Sequence, residues 1–201
     1  MKIKLLNIYK KYNNNFIFKD LNLVLYPENI YSINGNNSSG KSTFLKLVSG
    51  YISPNKGKII YNNSKNSITF AAPYSNLIEE MNLNELLKFK RVFSRFINNF
   101  DEKKFKEIIE IDKFKKIKFF SSGIKQKIKL ALAILFDSKV ILLDEPCSNL
   151  DMDNIKWFQN LINNYKKDRL IIVASNFINE ETKFSNIKLK IQNYNIVDIN
   201  N

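Results

Sequence analysis

The stretch Gly35-Asn36-Asn37-Ser38-Ser39-Gly40-Lys41-Ser42 determines how this chain of 201 residues is interpreted. It fits the pattern G-x-x-x-x-G-K-[ST], which forms a turn whose backbone N–H groups surround a phosphate. The apolar residues of Ile30–Ile33 predict a buried strand before it, and those of Phe44–Val48 recur at helical spacing after it. A strand, a glycine-bounded turn and a helix N-terminus direct several N–H groups at one anion. The sequence therefore predicts a nucleoside triphosphate site.

Individual residues of this loop have separate expected roles. Lys41 is predicted to reach the outer phosphates, and the hydroxyl of Ser42 is predicted to be a ligand of Mg²⁺. The residues expected to contact the nucleotide are Gly35, Asn36, Asn37, Ser38, Ser39, Gly40, Lys41, Ser42 and Thr43. The alternative is a chance octapeptide in an ordinary loop, and the strand and helix on either side argue against it.

A second motif, Val140–Pro146, places two acids at the end of an apolar segment. Ligands of open parallel sheets bind at the carboxyl ends of the strands, so these acids are candidates for a site. Asp144 is predicted to hold Mg²⁺ directly or through water, and Glu145 to polarise a water in line with the γ-phosphate. The alternative is that the two acids only cap a helix.

The net charge of +13 raises the question of a polyanionic partner. The lysines are scattered along the whole chain rather than gathered in a stripe, which argues against nucleic acid as a partner. The densest run comprises Lys113, Lys115, Lys116 and Lys118. We interpret this run as a solvated face, with a polyanion site or an anionic membrane surface as alternatives.

The location of the protein is indicated by three further features. The chain contains no apolar stretch of membrane-spanning length, and Met1–Leu5 alternates like a strand rather than forming the apolar segment of a secretion signal. Its single cysteine, Cys147, excludes an internal disulfide. We therefore expect a cytoplasmic protein.

The first part of the chain has alternating segments that predict strands. Antiparallel strands are expected at Ile3–Ile8, Phe16–Phe18 and Leu21–Leu25, with Asn13–Asn15 as a hairpin connection. Two more strands are predicted after the phosphate-loop helix, at Lys58–Tyr61 and Ser67–Ala72.

The middle of the chain changes character. Residues 76–119 show helical spacing, with one helix around Leu83–Lys90 and another after an N-cap at Asp101. We interpret this part as an inserted helical subdomain, which extends over about residues 76–136 when the following helix is included.

Strands and helices alternate again from Ser121 onward, which predicts a mostly parallel sheet covered on both faces. The class is therefore α/β, with residues 1–201 as a single domain. The strands expected here are Val140–Leu143, Leu170–Ala174 and a closing hairpin of Ile187–Ile191 and Ile196–Ile199.

Four further segments, in order, resemble landmarks of the ATP-binding cassette family, and specifically its transporter nucleotide-binding subunits. Phe120–Gln126 is similar to the signature segment, and its Ser121 precedes Asp144 by 23 positions, as in the family. Ser148–Asp151 is similar to the D-loop of the family. Tyr12 stands where the family carries the aromatic residue that stacks on adenine, and Ala174-Ser175-Asn176 stands at the switch position. The resemblance covers essentially all of the chain.

This resemblance implies a P-loop NTPase fold with an N-terminal antiparallel β subdomain, and ATP and Mg²⁺ as cofactors. It implies that two such domains pair head to tail, either as a homodimer or with a second cassette domain. Ser121, Ser122 and Gly123 of one domain would then close the ATP site of the other. The partner would be an integral membrane transporter subunit, which places the chain at the cytoplasmic face of the membrane.

Several alternatives stay open at this point. Ser121 and Ser122 can instead be a simple N-cap, and Tyr12 can be a strand or core aromatic. For the whole chain, one alternative is a cassette protein that acts on nucleic acid or in translation. Another is a degenerate cassette that binds ATP with little hydrolysis.

The sequence departs from the family pattern at four positions. The chain has no histidine, and Asn176 stands at the switch position, where it can donate a hydrogen bond to the γ-phosphate but cannot shuttle a proton. No glutamine follows the strand that ends at Ala72, and Tyr74 lies there without an assigned role. Ile124 replaces a common glutamine, and Ser38 a common glycine. We therefore expect ATP hydrolysis that is slow.

Overall fold

The computed structural model describes residues 1–62, 67–97, 100–176 and 182–199. Its strands are β1 (Ile3–Tyr12), β2 (Asn15–Leu25), β3 (Ile30–Asn34), β4 (Lys56–Tyr61), β5 (Ile68–Ala71), β6 (Val140–Asp144), β7 (Leu170–Ala174), β8 (Ile187–Gln192) and β9 (Asn195–Asp198). Its helices are α1 (Lys41–Ser49), α2 (Leu83–Phe93), α3 (Glu102–Ile109), α4 (Ser122–Ile134) and α5 (Met152–Tyr165), with a 3₁₀ turn at Ile117–Phe119.

The strands form two sheets. Strands β2, β1 and β4 make a three-stranded antiparallel sheet in that order. The second sheet has the order β5-β6-β7-β3-β8-β9, in which only the last pair is antiparallel. The predicted α/β class, the N-terminal antiparallel part and the closing hairpin are all confirmed.

The larger sheet is buried on both faces. Along β6, Val140 and Leu142 pack with α1 and the antiparallel sheet, whereas Ile141 and Leu143 pack with the helices α2 to α5. Because successive side chains of a strand point to opposite faces, both faces of a central strand must be apolar. This explains why β6 and β7 are continuous apolar runs in the sequence.

One sequence prediction was wrong: Phe16–Phe18 and Leu21–Leu25 are not separate strands but parts of β2. Asp20 has a φ of 52°, and the pairing of β1 with β2 shifts register on both sides of Ile8. The side-chain amide of Asn7 donates to Asp20 Oδ1 at 2.9 Å. The polar residues that suggested a turn therefore form an irregularity within one strand pair.

The predicted helices of the middle segment are present. Asn82 and Glu85 form a capping box at the start of α2, and Asp101 caps α3 by accepting from the N–H of Lys104 at 2.8 Å. Part of the basic run is neutralised here, because Lys116 and Lys118 lie 3.6 and 3.0 Å from Glu80. Among the described residues, every helix is too short or too polar to cross a bilayer.

Candidate functional site

The site forms where three neighbouring strands of the larger sheet end. Strands β6, β7 and β3 are adjacent, with Asp144 paired to Ala174 and Ala174 paired to Ile33. Residues that directly follow these strands therefore meet at one edge of the sheet. This arrangement brings Glu145, Asn176 and Gly35 together although they are far apart in the chain.

The phosphate loop connects β3 to α1 and leaves the start of the helix open. Gly40 precedes the helix with a φ of 109°, and no side chain caps the first-turn N–H groups. A side chain at Gly40 would also place its Cβ 2.4 Å from Ile17 Cγ2. Ser38 has a φ of 65°, in the left-handed region that glycine adopts more easily. The uncapped N–H groups can bind an anion.

A cleft of about 240 Å³ opens in front of this loop. Most of the residues predicted to contact the nucleotide line it: they are Tyr12, Asn37, Ser38, Gly40, Lys41, Ser42 and Thr43. The predicted catalytic base, Glu145, and Ile17 complete the lining. Gly35, Asn36 and Ser39 are not part of the lining, but the first two contribute carbonyl groups to the lysine network. Tyr12 is half exposed at the end of β1, so its ring is open to a ligand.

Lys41 is buried, and its ammonium group donates three hydrogen bonds. The acceptors are the carbonyl oxygens of Gly35 at 2.8 Å and Asn36 at 3.1 Å, and Oδ1 of Asn176 at 2.6 Å. Burial lowers the pKa of Lys41, and the nearby charges of Glu145 and Asp144 oppose that shift. Because all three acceptors are neutral, the charge of the ammonium group remains available to an anion.

Asn176 connects the lysine to the second acid. Its Nδ2 donates to Glu145 Oε1 at 2.6 Å, while its Oδ1 accepts from Lys41. The cation on one side and the carboxylate on the other fix the orientation of the amide. Glu145 has a φ of 45°, and its N–H donates to the Ala174 carbonyl at 2.8 Å, which holds the glutamate against the end of β7. The helix-capping interpretation of the acids is wrong, because Asp151 caps α5.

The environment of Asp144 suits a hard cation. Its carboxyl group is buried, with Oδ2 accepting from the hydroxyl of Tyr74 at 3.1 Å and Oδ1 lacking a hydrogen-bond partner. Burial, followed by the charge of Asp144, raises the pKa of Tyr74. Mg²⁺ commonly uses one or two protein oxygens and completes its shell with phosphate and water. The free oxygen of Asp144 therefore suits the cation, whereas Ser42 lines the phosphate cleft, whose lining does not include Asp144. Among the described residues, no three or more His, Cys, Asp or Glu side chains are grouped so that they alone could hold a metal ion.

The signature residues lie outside this cleft. Ser121 caps α4 by accepting from the N–H of Ile124 at 3.3 Å, as the N-cap interpretation predicts, and both Ser121 and Ser122 are exposed. A Cβ on Gly123 would lie 2.9 Å from the carbonyl oxygen of Asn149, so glycine is required for this close approach. The start of α4 is therefore packed on the D-loop and presents its serines to solvent.

The loop after Asp144 is also tied to α4. The buried side chain of Gln126 donates to the carbonyl oxygen of Pro146 at 2.8 Å. This bond joins the signature helix to the segment that carries Glu145.

Comparisons with known proteins show what the chain is similar to. A family model described as ABC transporter matches residues 18–148. The lantibiotic transport ATP-binding protein SrtF of Streptococcus pyogenes is 27% identical over 191 residues, which are 90% of this chain and 82% of the relative. A putative ABC transporter ATP-binding protein from Pyrococcus furiosus superposes with a TM-score of 0.80 at 22% identity, covering 95% of this chain and 98% of that one. A dimeric ATP-binding cassette in a post-hydrolysis state, bound to ADP and phosphate, gives 0.82 at 19% identity, with 98% and 97% covered.

Proposed function

The chain belongs to the ABC transporter family, and from this premise we propose that it is the ATP-binding, ATP-hydrolysing subunit of a transporter whose membrane-spanning part is a separate chain. The observation that carries the proposal is the bridge from Lys41 through Asn176 to Glu145, beside an uncapped helix N-terminus. A role in nucleic-acid handling or translation is not favoured, because the relatives are transport proteins and the lysines are dispersed.

ATP binding follows from the groups at this edge of the sheet. The N–H groups at the start of α1 and the ammonium of Lys41 bind the phosphates, and the ring of Tyr12 stacks on adenine. Ser42 and Asp144 would hold Mg²⁺, which would supply positive charge to the phosphate oxygens. Glu145 orients a water for attack on the γ-phosphate and accepts its proton.

Asn176 is proposed to contact the γ-phosphate with its amide. In the structure this amide accepts from Lys41 and donates one hydrogen to Glu145. Because the amide nitrogen carries two hydrogens, a contact with the γ-phosphate does not require either bond to break. An amide cannot be protonated near neutral pH, so it contributes a hydrogen bond but no charge. Because asparagine stands where the family usually has histidine, we expect slow turnover of ATP.

The catalytic unit is proposed to be a head-to-tail pair of cassettes. Ser121, Ser122 and Gly123 do not line the chain's own phosphate cleft, yet the two serines are exposed at the N-terminus of a 13-residue helix. Such a terminus can bind the phosphates of a nucleotide held by a second copy. The dimeric neighbour bound to ADP and phosphate supports this arrangement. We take a second copy as the partner, with a related cassette as the alternative.

A groove next to the Tyr74–Met81 loop is proposed to receive the membrane subunit. Its volume is about 210 Å³, and its lining includes Ser75, Asn76, Leu77, Lys90, Lys129 and Leu132. Burial lowers the pKa of both Lys90 and Lys129. A carboxylate on the docking segment would stabilise these partly desolvated ammonium groups, so an acidic segment of an integral membrane protein fits the groove.

This docking surface gives the experiment that tests the proposed function. The tagged chain, purified from detergent-solubilised membranes of its own cells, is expected to bring one integral membrane protein with it. Lys129→Glu should lower the recovered membrane protein by about fivefold or more, because like charges then face each other in the groove. Mass spectrometry of the eluate measures the ratio of the two chains.

The matched control is Lys139→Glu, the same charge change at an exposed lysine just before β6, at the opposite edge of the sheet. It should leave the recovered ratio unchanged. Failure to recover any integral membrane protein with the parent chain would contradict the transporter assignment. Equal recovery with both variants would contradict the placement of the docking surface.

A further inference from the structure

Tyr74 lies in the loop between β5 and α2, and two elements hold its ring. The ring packs edge-on against Phe70 of β5, with centroids 6.2 Å apart. The ammonium group of Lys46, on α1, lies 4.6 Å from the centre of the Tyr74 ring. From this position the hydroxyl donates to Oδ2 of Asp144 at 3.1 Å. The phenol therefore joins the loop to the end of β6.

The two oxygens of the Asp144 carboxyl group are in different environments. Oδ2 is occupied by the Tyr74 hydroxyl, whereas Oδ1 is buried and has no hydrogen-bond partner. A buried carboxylate oxygen without a partner is unfavourable unless a cation or donor binds it. A donor on one oxygen also limits rotation of the carboxyl group, and thus determines which oxygen faces a ligand.

We propose that Tyr74 is a positioning residue for the metal: its hydroxyl holds Oδ2 of Asp144, so that Oδ1 is directed to the Mg²⁺ that accompanies the nucleotide. This inference rests on the proposed function. It assigns a role to a tyrosine to which the sequence alone gave none. The hydroxyl acts through Asp144 and does not itself contact the reacting atoms.

The test measures metal affinity rather than activity. Mn²⁺ replaces Mg²⁺ and is titrated into the chain saturated with AMP-PNP, a non-hydrolysable ATP analogue, while electron paramagnetic resonance reports free Mn²⁺. Tyr74→Phe keeps the ring contacts and removes only the hydroxyl, and it should weaken Mn²⁺ binding about tenfold, as loss of an outer-shell partner does. Binding of AMP-PNP in the presence of a metal chelator should not change.

A second variant tests the hydrogen-bond donor of Tyr74 separately from the contacts of its ring. Tyr74→Gln loses the ring but supplies an amide N–H, so it should bind Mn²⁺ more tightly than Tyr74→Phe does. The control is Tyr61→Phe, which removes a hydroxyl that donates to the carbonyl oxygen of Val48 at 3.0 Å and should leave Mn²⁺ affinity unaltered. If only the ring contacts matter, Tyr74→Gln will bind Mn²⁺ more weakly than Tyr74→Phe does, and the inference is overturned.

The parent chain distinguishes failure of this inference from failure of the proposed function. A parent that binds AMP-PNP with metal-dependent affinity, together with a Tyr74→Phe variant of equal Mn²⁺ affinity, would overturn the role of Tyr74 and leave the proposed function standing. A parent that binds no AMP-PNP, with or without Mn²⁺, would overturn both.

Discussion

Replacing Glu145 with glutamine is expected to lower ATP turnover by about 100-fold or more and to leave a dimer that retains ATP. Glutamine has nearly the same shape and keeps an Oε1 acceptor for the amide of Asn176. It cannot take a proton from the attacking water, so binding should persist while hydrolysis stops. Phosphate release measures the turnover, and light scattering with saturating MgATP measures the molar mass.

The control for this change is Glu110→Gln, the same substitution at another glutamate with a positive φ, here 55° at the end of α3. That variant should hydrolyse ATP at the parent rate, because Glu110 does not line the phosphate cleft. Parent-like turnover by the Glu145 variant would show that another group activates the water.

Replacing Lys41 with alanine should abolish measurable ATP binding, with a loss of affinity of about 100-fold or more. The ammonium group is the one cationic side chain lining the phosphate cleft among the described residues, and its present acceptors are all neutral. Calorimetric titration with ATP measures the affinity. Urea unfolding should show a cooperative transition, which establishes that the variant chain is folded.

Asn176→Ala is the matched comparison for the lysine variant. It removes one of the three acceptors of Lys41 but leaves the carbonyl oxygens of Gly35 and Asn36 in place. ATP should still bind within about threefold of the parent affinity, whereas turnover should fall by about tenfold, because one hydrogen bond to the γ-phosphate is lost. ATP binding lost equally in both variants would mean that the Asn176 bridge, not the ammonium charge, organises the loop.

The central strands could be predicted from the sequence because local pattern determines them. Strands β3, β6 and β7 are buried on both faces, which produces the apolar runs Val140–Leu143 and Leu170–Ala174 and a β3 that is apolar except for Ser32 and Asn34. The phosphate loop was predictable for a related reason, since its glycine and lysine positions are fixed by backbone geometry around an anion. Strand β2 was not, because the irregularity at Asp20 depends on Asn7 of the neighbouring strand.

The contacts that organise the site could not be read from sequence spacing. Lys41 and Asn176 are 135 positions apart, and Tyr74 and Asp144 are 70 apart. Lys41 and Asn176 meet because β3 and β7 are neighbours in the sheet although they are not consecutive in the chain. Tyr74 and Asp144 meet because β5 and β6 are parallel neighbours whose connection contains α2, α3 and α4. The sequence predicted Asn176 at the switch position from resemblance alone, and it gave no role to Tyr74.

The measurement that tests the account most directly mixes two inactive chains. Lys41→Ala disables the phosphate loop of one chain, and Ser122→Arg blocks the exposed signature end of the other. Each alone should be inactive, since every composite site in either homodimer contains the defect.

In a mixed pair, the intact phosphate loop of the Ser122→Arg chain faces the intact signature end of the Lys41→Ala chain. Random pairing of equal amounts should therefore restore roughly a quarter of the parent turnover. A mixture that remains as inactive as its two components, although both chains are folded, would contradict a nucleotide site shared between two copies.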